Sequence, residues 1–529
     1  MDINEFLFNY GYTKEFNLAV CDETRSFPDM IPESELKKRK CLFDLQIVTI
    51  DGDDSKDFDD AVSIRKLKNG KFELGVHIAD VSHYVTEKSA LDAEAYNRGT
   101  SVYLVDHVVP MLPERLSNDL CSLVPHKPRL TLSCFMKVDS LGNIEDYKIC
   151  ETAIKSSARM TYRNVTKILE GDMAARNEYA DFIEMFENMR ELALILRDKR
   201  MRRGAIDFDF PEPYFDIDEN GKVVDVYPRE LSISNRIIEE FMLAANETVA
   251  KHCEKLGIPC VYRVHEEPDE EKIGRLATLV RIFGHRLKIK EKVSPKALQS
   301  LLFRVTGTNA QTVLSTVMLR SMMKARYCEE NLGHFGLAAE YYCHFTSPIR
   351  RYPDLVVHRI LKEWLRGTLD EWRTTHYNKI TRRAAEQSSE TEYNATVAER
   401  DYDAFKACEY MEDKIGQEFI GMISSVTDFG FFVELPNTVE GLVRMADLQD
   451  DYYVFDEETL MLTGRRGGRV FCMGQQVTVR LAKVNTELKQ IDFVLSEFDN
   501  KKPEKEVRHK GGKQRKNSKK GRKKKHRSK

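Results

Sequence analysis

Six aspartates fall within ten residues, at Asp51, Asp53, Asp54, Asp57, Asp59 and Asp60. Apolar stretches rich in β-branched residues flank them at 46–50 and 61–64, and both have the composition of buried strands. The chain must therefore fold so that a dense anionic loop leaves a rigid core, where carboxylates repel one another strongly unless cations offset the charge. A solvated acidic turn is the common form of an Asp-rich loop, but such a turn has no need of buried strands on both sides. A calcium hand starting at Asp51 would require Gly at its sixth position and Glu at its twelfth, where this sequence has Lys56 and Val62. A donor set made only of carboxylate oxygen suits a hard divalent ion better than zinc; Mg²⁺ is the expected ion and Mn²⁺ the alternative.

The rest of the chain narrows the class. At 529 residues, 42% hydrophobic and 32% charged, it can build several cores. It contains no apolar run long enough to span a bilayer, and its first residues lack a basic region followed by an apolar one, so the expected location is cytoplasmic with no membrane partner. Eleven cysteines without any C-x-x-C pair fit free, packed thiols rather than disulfides or a zinc cluster. The net charge of −3 conceals an asymmetry, because residues 501–529 carry 16 Lys and Arg against two Glu, a net of +14 that leaves residues 1–500 at −17. Such a tail has nothing to bury and attracts polyanions through counterion release, whereas the acidic body can accept a polyanion only along a locally basic path.

Residues 1–40, with Pro28 and Pro32, read as a lead-in segment rather than a domain. Strand-like runs such as 72–78 and 130–138 alternate with turns from Cys41 to about Ile154. Helical periodicity then takes over. Phe182, Met185, Phe186, Met189, Leu192, Ala193 and Leu196 recur at steps of three and four until Gly204. A second helix is expected at about 235–256, stopped by Gly257 and Pro259, with further helices across 308–329, 353–366 and 375–412. After Asp413 short alternating strands at 416–426, 430–435, 441–443 and 476–481 make a small barrel. Phe429 and Phe432 there offer stacking faces for bases or serve as barrel core, one of the two being expected inside.

Two stretches carry a family resemblance: Thr49-Ile-Asp-Gly-Asp-Asp-Ser-Lys-Asp-Phe-Asp-Asp-Ala-Val62 and His344-Phe-Thr-Ser-Pro-Ile-Arg-Arg-Tyr-Pro-Asp-Leu355 resemble the two signatures of the ribonuclease II family. The segments 75–84, 203–209 and 331–337 resemble its ribonuclease R branch, and 426–433 with 440–443 is similar to the domain repeated in ribosomal protein S-one. The resemblance covers roughly residues 41–497. It implies an α+β fold with a mixed-sheet-plus-helices nuclease core at 41–412, a five-stranded OB-type barrel at 413–497 and a disordered Lys/Arg-rich tail at 498–529. It implies a processive 3′-to-5′ exoribonuclease that hydrolyses RNA to 5′-mononucleotides, in RNA turnover and quality control. The implied partner is single-stranded RNA with a free 3′ end, for a monomer. Structured RNA, the ribosome and the RNA-decay machinery stay open as further partners. Proteins of this branch usually carry cold-shock-type barrels ahead of the nuclease core, where this sequence has only its forty lead-in residues, so altered affinity or substrate choice is expected with the chemistry intact. A non-catalytic RNA-binding or ribosome-associated factor is the alternative reading, and an endonuclease a third.

By the same resemblance Asp51, Asp57, Asp59 and Asp60 are the essential metal ligands or water orienters, with Asp59 the most catalytic, while Asp53 and Asp54 match less constrained places. Such carboxylates would hold a pair of divalent ions about 3.5–4 Å apart, which activate water and neutralise the charge on phosphorus. Arg350 follows the helix-start signal Ser347-Pro348 and can grip the scissile phosphate bidentately; Arg351 is the second choice, and an arginine paired with Asp354 or Glu340 is the structural alternative. Tyr103 and Tyr262 match two positions where aromatics stack on bases near the RNA 3′ end, although either can be an ordinary strand aromatic. Glu399 resembles an acidic point beside that end, with a helix-surface salt bridge as its alternative. Arg444 stands where related barrels often have histidine, among the expected RNA-binding residues. His77, Asp80 and His83 make a poor zinc set and are expected to pack or to support the site.

Overall fold

The computed structural model describes residues 3–498, apart from 209, 290, 291 and 309; the tail expected to be disordered lies outside the described residues. Seven strands form the central sheet: β1 (Lys40–Leu42), β2 (Val48–Asp51), β3 (Asp60–Lys66), β4 (Phe72–Ala79), β5 (Pro128–Val138), β6 (Ile144–Lys155) and β7 (Ala158–Thr161). Their order is β1-β6-β5-β4-β3-β2-β7, antiparallel except that β1 runs parallel to β6 and β7 parallel to β2. The β-branched and aliphatic residues on either side of the acidic loop are fully buried, among them Val48, Ile50, Ala61 and Val62. At the centre of the sheet His77 is sealed between Ser63 Oγ, at 2.9 Å, and Ser133 Oγ, at 2.7 Å. Burial pushes its pKa down to about 3, so the ring is a neutral cross-strand linker. Gly75 is required beside it, since a Cβ there would lie 2.4 Å from Ser63 Oγ.

Helices α2 (Ala90–Arg98), α3 (Tyr162–Glu170), α4 (Ile183–Arg203), α5 (Ile233–Leu256), α6 (Tyr352–Leu365) and α7 (Glu371–Glu412) contribute to the core around this sheet, while α1 (Ile3–Asn9) packs in a separate small cluster. The periodic residues of α4 do face the core, and the helix stops at Gly204, whose left-handed φ of 112° only glycine adopts without strain. Ser232 and Asn235 form a capping box at the start of α5. The helix expected across 308–329 is shorter, Gln311–Ser321, because Arg326–Cys328 is drawn into a two-stranded sheet with Tyr262–Val264. Asp80, just beyond β4, is the most heavily bridged carboxylate of the core. It accepts from Arg39 Nη2 at 2.7 Å, from Lys362 Nζ at 2.8 Å and from Ser82 Oγ at 2.6 Å, with all three charged side chains buried. Burial alone would raise its pKa, but Lys362 and Arg39 hold it well below the usual carboxylate range.

The C-terminal barrel closes as β8 (Glu418–Thr427), β9 (Gly430–Glu434), β10 (Glu440–Arg444), β12 (Gln490–Leu495) and β11 (Gln476–Asn485), the last two numbered in chain order. This is the five-stranded barrel expected from the sequence, with a three-stranded sheet at 453–472 inserted between β10 and β11. Its interior holds Phe431, Val433, Val443, Leu481 and Phe493, so the core aromatic of β9 is Phe431, while Phe429 is exposed and Phe432 half-buried. All eleven cysteines are free. Among the described residues no helix is long and apolar enough to cross a membrane.

Candidate active site

Asp51 ends β2 and Asp60 opens β3, so the acidic loop is carried by adjacent strands near one edge of the sheet. Phe58 anchors it: the ring is buried, its N–H donates to Ser122 Oγ at 3.0 Å, and the same hydroxyl donates to the carbonyl of Lys56 at 2.7 Å. Arg159 on β7 ties down the other half, donating to the carbonyls of Gly52 at 2.9 Å and Asp53 at 2.5 Å. Parallel pairing of β2 with β7 sets Asp51 opposite Thr161 and brings Arg159 and Tyr162 to the loop. The sequence reading missed both residues, because neither lies near the aspartates along the chain.

Asp59 meets the second signature motif directly. Its Oδ1 accepts the N–H of Ile349 at 2.8 Å, and its buried Oδ2 has no hydrogen-bond partner but lies 3.7 Å from Arg350 Nε. Asp51 Oδ2 is likewise buried without a partner. Burial, with the charges of Asp60 and Asp57 added, raises the Asp51 pKa well above the usual carboxylate value; burial does the same for Asp59, against the opposing effect of Arg350. Asp60 is pushed up to about 6, again chiefly by burial. Asp57 instead accepts from the Tyr103 hydroxyl at 3.0 Å, and Asp53 pairs with Arg163 at 2.8 Å, outside this group.

The two arginines of the motif do different things. Arg351 is the structural one: its guanidinium grips Asp354 bidentately, at 3.0 and 2.7 Å, and that carboxylate is fully buried. This departs from its expected place among the RNA-binding residues, since its Nε and Nη2 edge is committed to Asp354. Arg350 donates to Ser347 Oγ at 3.2 Å, keeps 42% of its side chain exposed and faces the carboxylates. Its carbonyl accepts from Ser101 N–H at 3.0 Å and Thr100 Oγ1 at 3.1 Å, which hangs the hairpin of Val102–Tyr103 and Val108–Val109 beside the site. Tyr103 is 38% exposed, and its N–H donates to Glu399 Oε1 on α7 at 2.9 Å. Glu399 thus holds the hairpin backbone, and among the described residues it has no ion pair on the helix surface; burial raises its pKa, and the Tyr103 N–H partly offsets this.

Tyr262 departs from expectation. Its ring is 4% exposed and its hydroxyl donates to Glu254 Oε2 at 2.8 Å, so it presents no face on which a base can stack. Phe429, Phe432 and Arg444 lie apart from the aspartates, along a groove of about 580 Å³ between the barrel, α7 and the hairpin at 213–228. Arg444 pairs there with Asp492 at 2.9 Å.

Among the described residues no group of three or more His, Cys, Asp or Glu side chains converges on one point as a ready cation cage. Asp51, Asp57, Asp59 and Asp60 line one site without forming a single ligand set. Two partnerless buried carboxylate oxygens of raised proton affinity nevertheless fit a hard divalent cation by their chemistry, as does the all-oxygen donor set.

Comparison with known proteins identifies the two domains. Residues 39–367 match the RNB domain and residues 412–496 the S1 RNA binding domain. The chain is 46% identical over 499 residues to Ribonuclease R 1 of Lactococcus lactis, covering 93% of this chain and 60% of that protein. It is 47% identical over 489 residues to Ribonuclease R of Thermotoga maritima, covering 92% of this chain and 69% of that one. A solved structure, Mycoplasma genitalium RNase R in complex with ribose methylated single-stranded RNA, superposes with a TM-score of 0.87 at 30% identity, covering 93% of this chain and 77% of the other. The chain belongs to the RNB-domain family, in its ribonuclease R branch. It spans 60% of the length of the Lactococcus relative, somewhat under two thirds.

Proposed function

We propose that this protein is a hydrolytic exoribonuclease that takes RNA by its 3′ end and releases 5′-mononucleotides with the help of divalent cations. The observation that carries the reading is the meeting of the two signature motifs: Asp59 is held by the Ile349 N–H and faced by Arg350, with Asp51 and Asp60 alongside. A protein that merely binds RNA has no use for buried anions that repel its ligand, which argues against the non-catalytic alternative. The proposed cation is Mg²⁺, and Asp51, Asp57, Asp59 and Asp60 are the carboxylates that would close on it or orient its water. Bound there, a pair of such ions supplies an activated water and neutralises charge at phosphorus.

The chain's own groups do the rest. Arg350 binds the scissile phosphate through its planar fork. Tyr103, tethered through its hydroxyl to Asp57 and through its N–H to Glu399, stacks on a base near the 3′ end and sets the distance from that end to the carboxylates. The exposed Phe429 and the Phe432–Arg444 wall of the barrel groove support single-stranded RNA as the ligand of the barrel. A 3′-labelled oligoribonucleotide tests the reading: labelled mononucleotide is expected at the earliest time points, with loss on chelation. Internal fragments would indicate an endonuclease, and binding without cleavage an inert binder.

Two variant sets extend it. Arg350→Lys is expected to lower kcat about a hundredfold at nearly unchanged stability, because an ammonium cannot copy the bidentate fork. Arg351→Lys is expected to destabilise the fold by about 2 kcal/mol, since it disturbs a pair built on a buried carboxylate. Measuring kcat and denaturant midpoint for both would reverse the assignment if the losses were exchanged. Tyr103→Ala is expected to lengthen the shortest product on a denaturing gel; an unchanged ladder would remove Tyr103 from the RNA end.

A further inference from the structure

Tyr103 sits on a hairpin whose strands are two residues long, too short to hold a position unaided. Strand alternation sends the Tyr103 side chain toward the aspartates and Val102 and Leu104 to the opposite side, where both are buried, as is Val109. These three residues do not join the main core. They form a separate small cluster with Phe6 and Leu7 of α1 and with Ala395, Ala398 and Tyr402 of α7. The same stretch of α7 presents Glu399 to the Tyr103 N–H. The Phe6 ring meets Tyr402 edge-on at 5.1 Å. The Tyr10 hydroxyl donates to Asp401, and Lys489, from the turn between β11 and β12, pairs with the same carboxylate while lying 5.5 Å over the Phe6 ring. The Tyr12 hydroxyl reaches the carbonyl of Thr391 at 3.4 Å.

We propose that residues 3–12 are a strap that positions Tyr103, so that grip on the last base of the RNA is set by Phe6 and Leu7 from behind the hairpin. The proposal rests on the reading of Tyr103 as the stacking residue. Phe6 is thus a positioning residue, acting only through Val102, Leu104 and the α7 turn that carries Glu399. Since end-stacking contributes binding common to ground and transition states, loosening it raises KM more than it lowers kcat. Phe8 lies on the same helix but is 79% exposed, which makes it the internal control.

The test compares Phe6→Ala, Phe6→Leu, Phe8→Ala and Tyr103→Ala in the full chain, with melting temperatures recorded. Phe6→Ala is expected to raise KM for single-stranded RNA about tenfold with kcat within about threefold, and to lengthen the shortest product as Tyr103→Ala does. Phe6→Leu is expected to fall between Phe6→Ala and the native chain, Phe8→Ala to match the native chain, and Phe6→Ala to add little to Tyr103→Ala. A second readout does not require hydrolysis: in an Asp59→Asn background, 2-aminopurine at the RNA 3′ end reports stacking by its quenching, which the Phe6 substitutions are expected to weaken. Native KM, product length and quenching in Phe6→Ala would overturn the strap; should that variant not fold, native values in Phe6→Leu would do so. A native chain that releases no nucleotide would overturn the enzymatic reading, while the quenching experiment would still decide the strap.

Discussion

Asp59→Asn is expected to reduce nucleotide release about a thousandfold or more, and at the same time to stabilise the cation-free protein by about 1–2 kcal/mol at pH 7.5. Both effects come from one placement. Asp59 is 4% exposed, its Oδ2 has no hydrogen-bond partner, and burial drives its pKa well above the usual value. Asparagine retains an Oδ1 to accept the Ile349 N–H and removes the charge. Asp51, Asp59 and Asp60 all have pKa values raised above that of an unfolded chain, so the stability linked to them is fully present below about pH 4 and is lost as pH rises through the folded values, about 6 for Asp60. In chelator the native chain is therefore expected to melt lower at pH 7.5 than at pH 5 on this account, and the variant to show a flatter profile. Melting curves across that range, with kcat measured in Mg²⁺, check the prediction. A variant that kept most of its activity, or melted lower in chelator at pH 7.5, would sink it.

Asp80→Asn is expected to cost about 3–5 kcal/mol of stability, because the buried Lys362 would lose the carboxylate it bridges and Arg39 would keep only Glu35 and the more distant Glu151. Here the sign with pH is opposite. The folded pKa of Asp80 lies well below the usual range despite burial, so its contribution is present above the unfolded carboxylate value and disappears as pH falls through the folded one. A urea midpoint at neutral pH measures the loss. A midpoint within experimental scatter of the native chain would mean that the three charges are not coupled. Lys362 lies on α6, the helix that begins immediately after Arg350 and Arg351, so this triad also ties the helix that follows Arg350 to the end of β4.

The sequence was most readable where one physical requirement decides a residue type. Apolar, β-branched runs beside the acidic loop gave β2 and β3, Gly204 and Gly257 marked helix ends, and alternating short strands predicted the barrel. The acidic loop and Arg350, some 290 residues further along, were found through two separate motifs, and the fold places them together. What stayed hidden depends on neighbours remote in the chain. Tyr262 has the same local surroundings as a surface strand tyrosine, and only its pairing with Arg326–Cys328 and the acceptor Glu254 reveal it as interior. Arg351 and Arg350 are adjacent and chemically identical, so their division of labour rests on which one reaches Asp354. Phe431 and its neighbours Phe429 and Phe432 differ only in barrel register. Residues 1–40 read as a lead-in because polar residues and two prolines break up their pattern, yet Phe6, Leu7 and Val20 are each buried against elements far along the chain.

The hydrogen bond from Ile349 to Asp59 closes a loop of 290 residues. During synthesis the anionic half of the centre thus emerges hundreds of residues before the guanidinium that faces it. A growing chain can form β2 and β3 early, but on the proposed function its cutting centre would be complete only after α6 has begun and docked. On the proposed function, an unfinished molecule would therefore carry the carboxylates without the groups that complete their site.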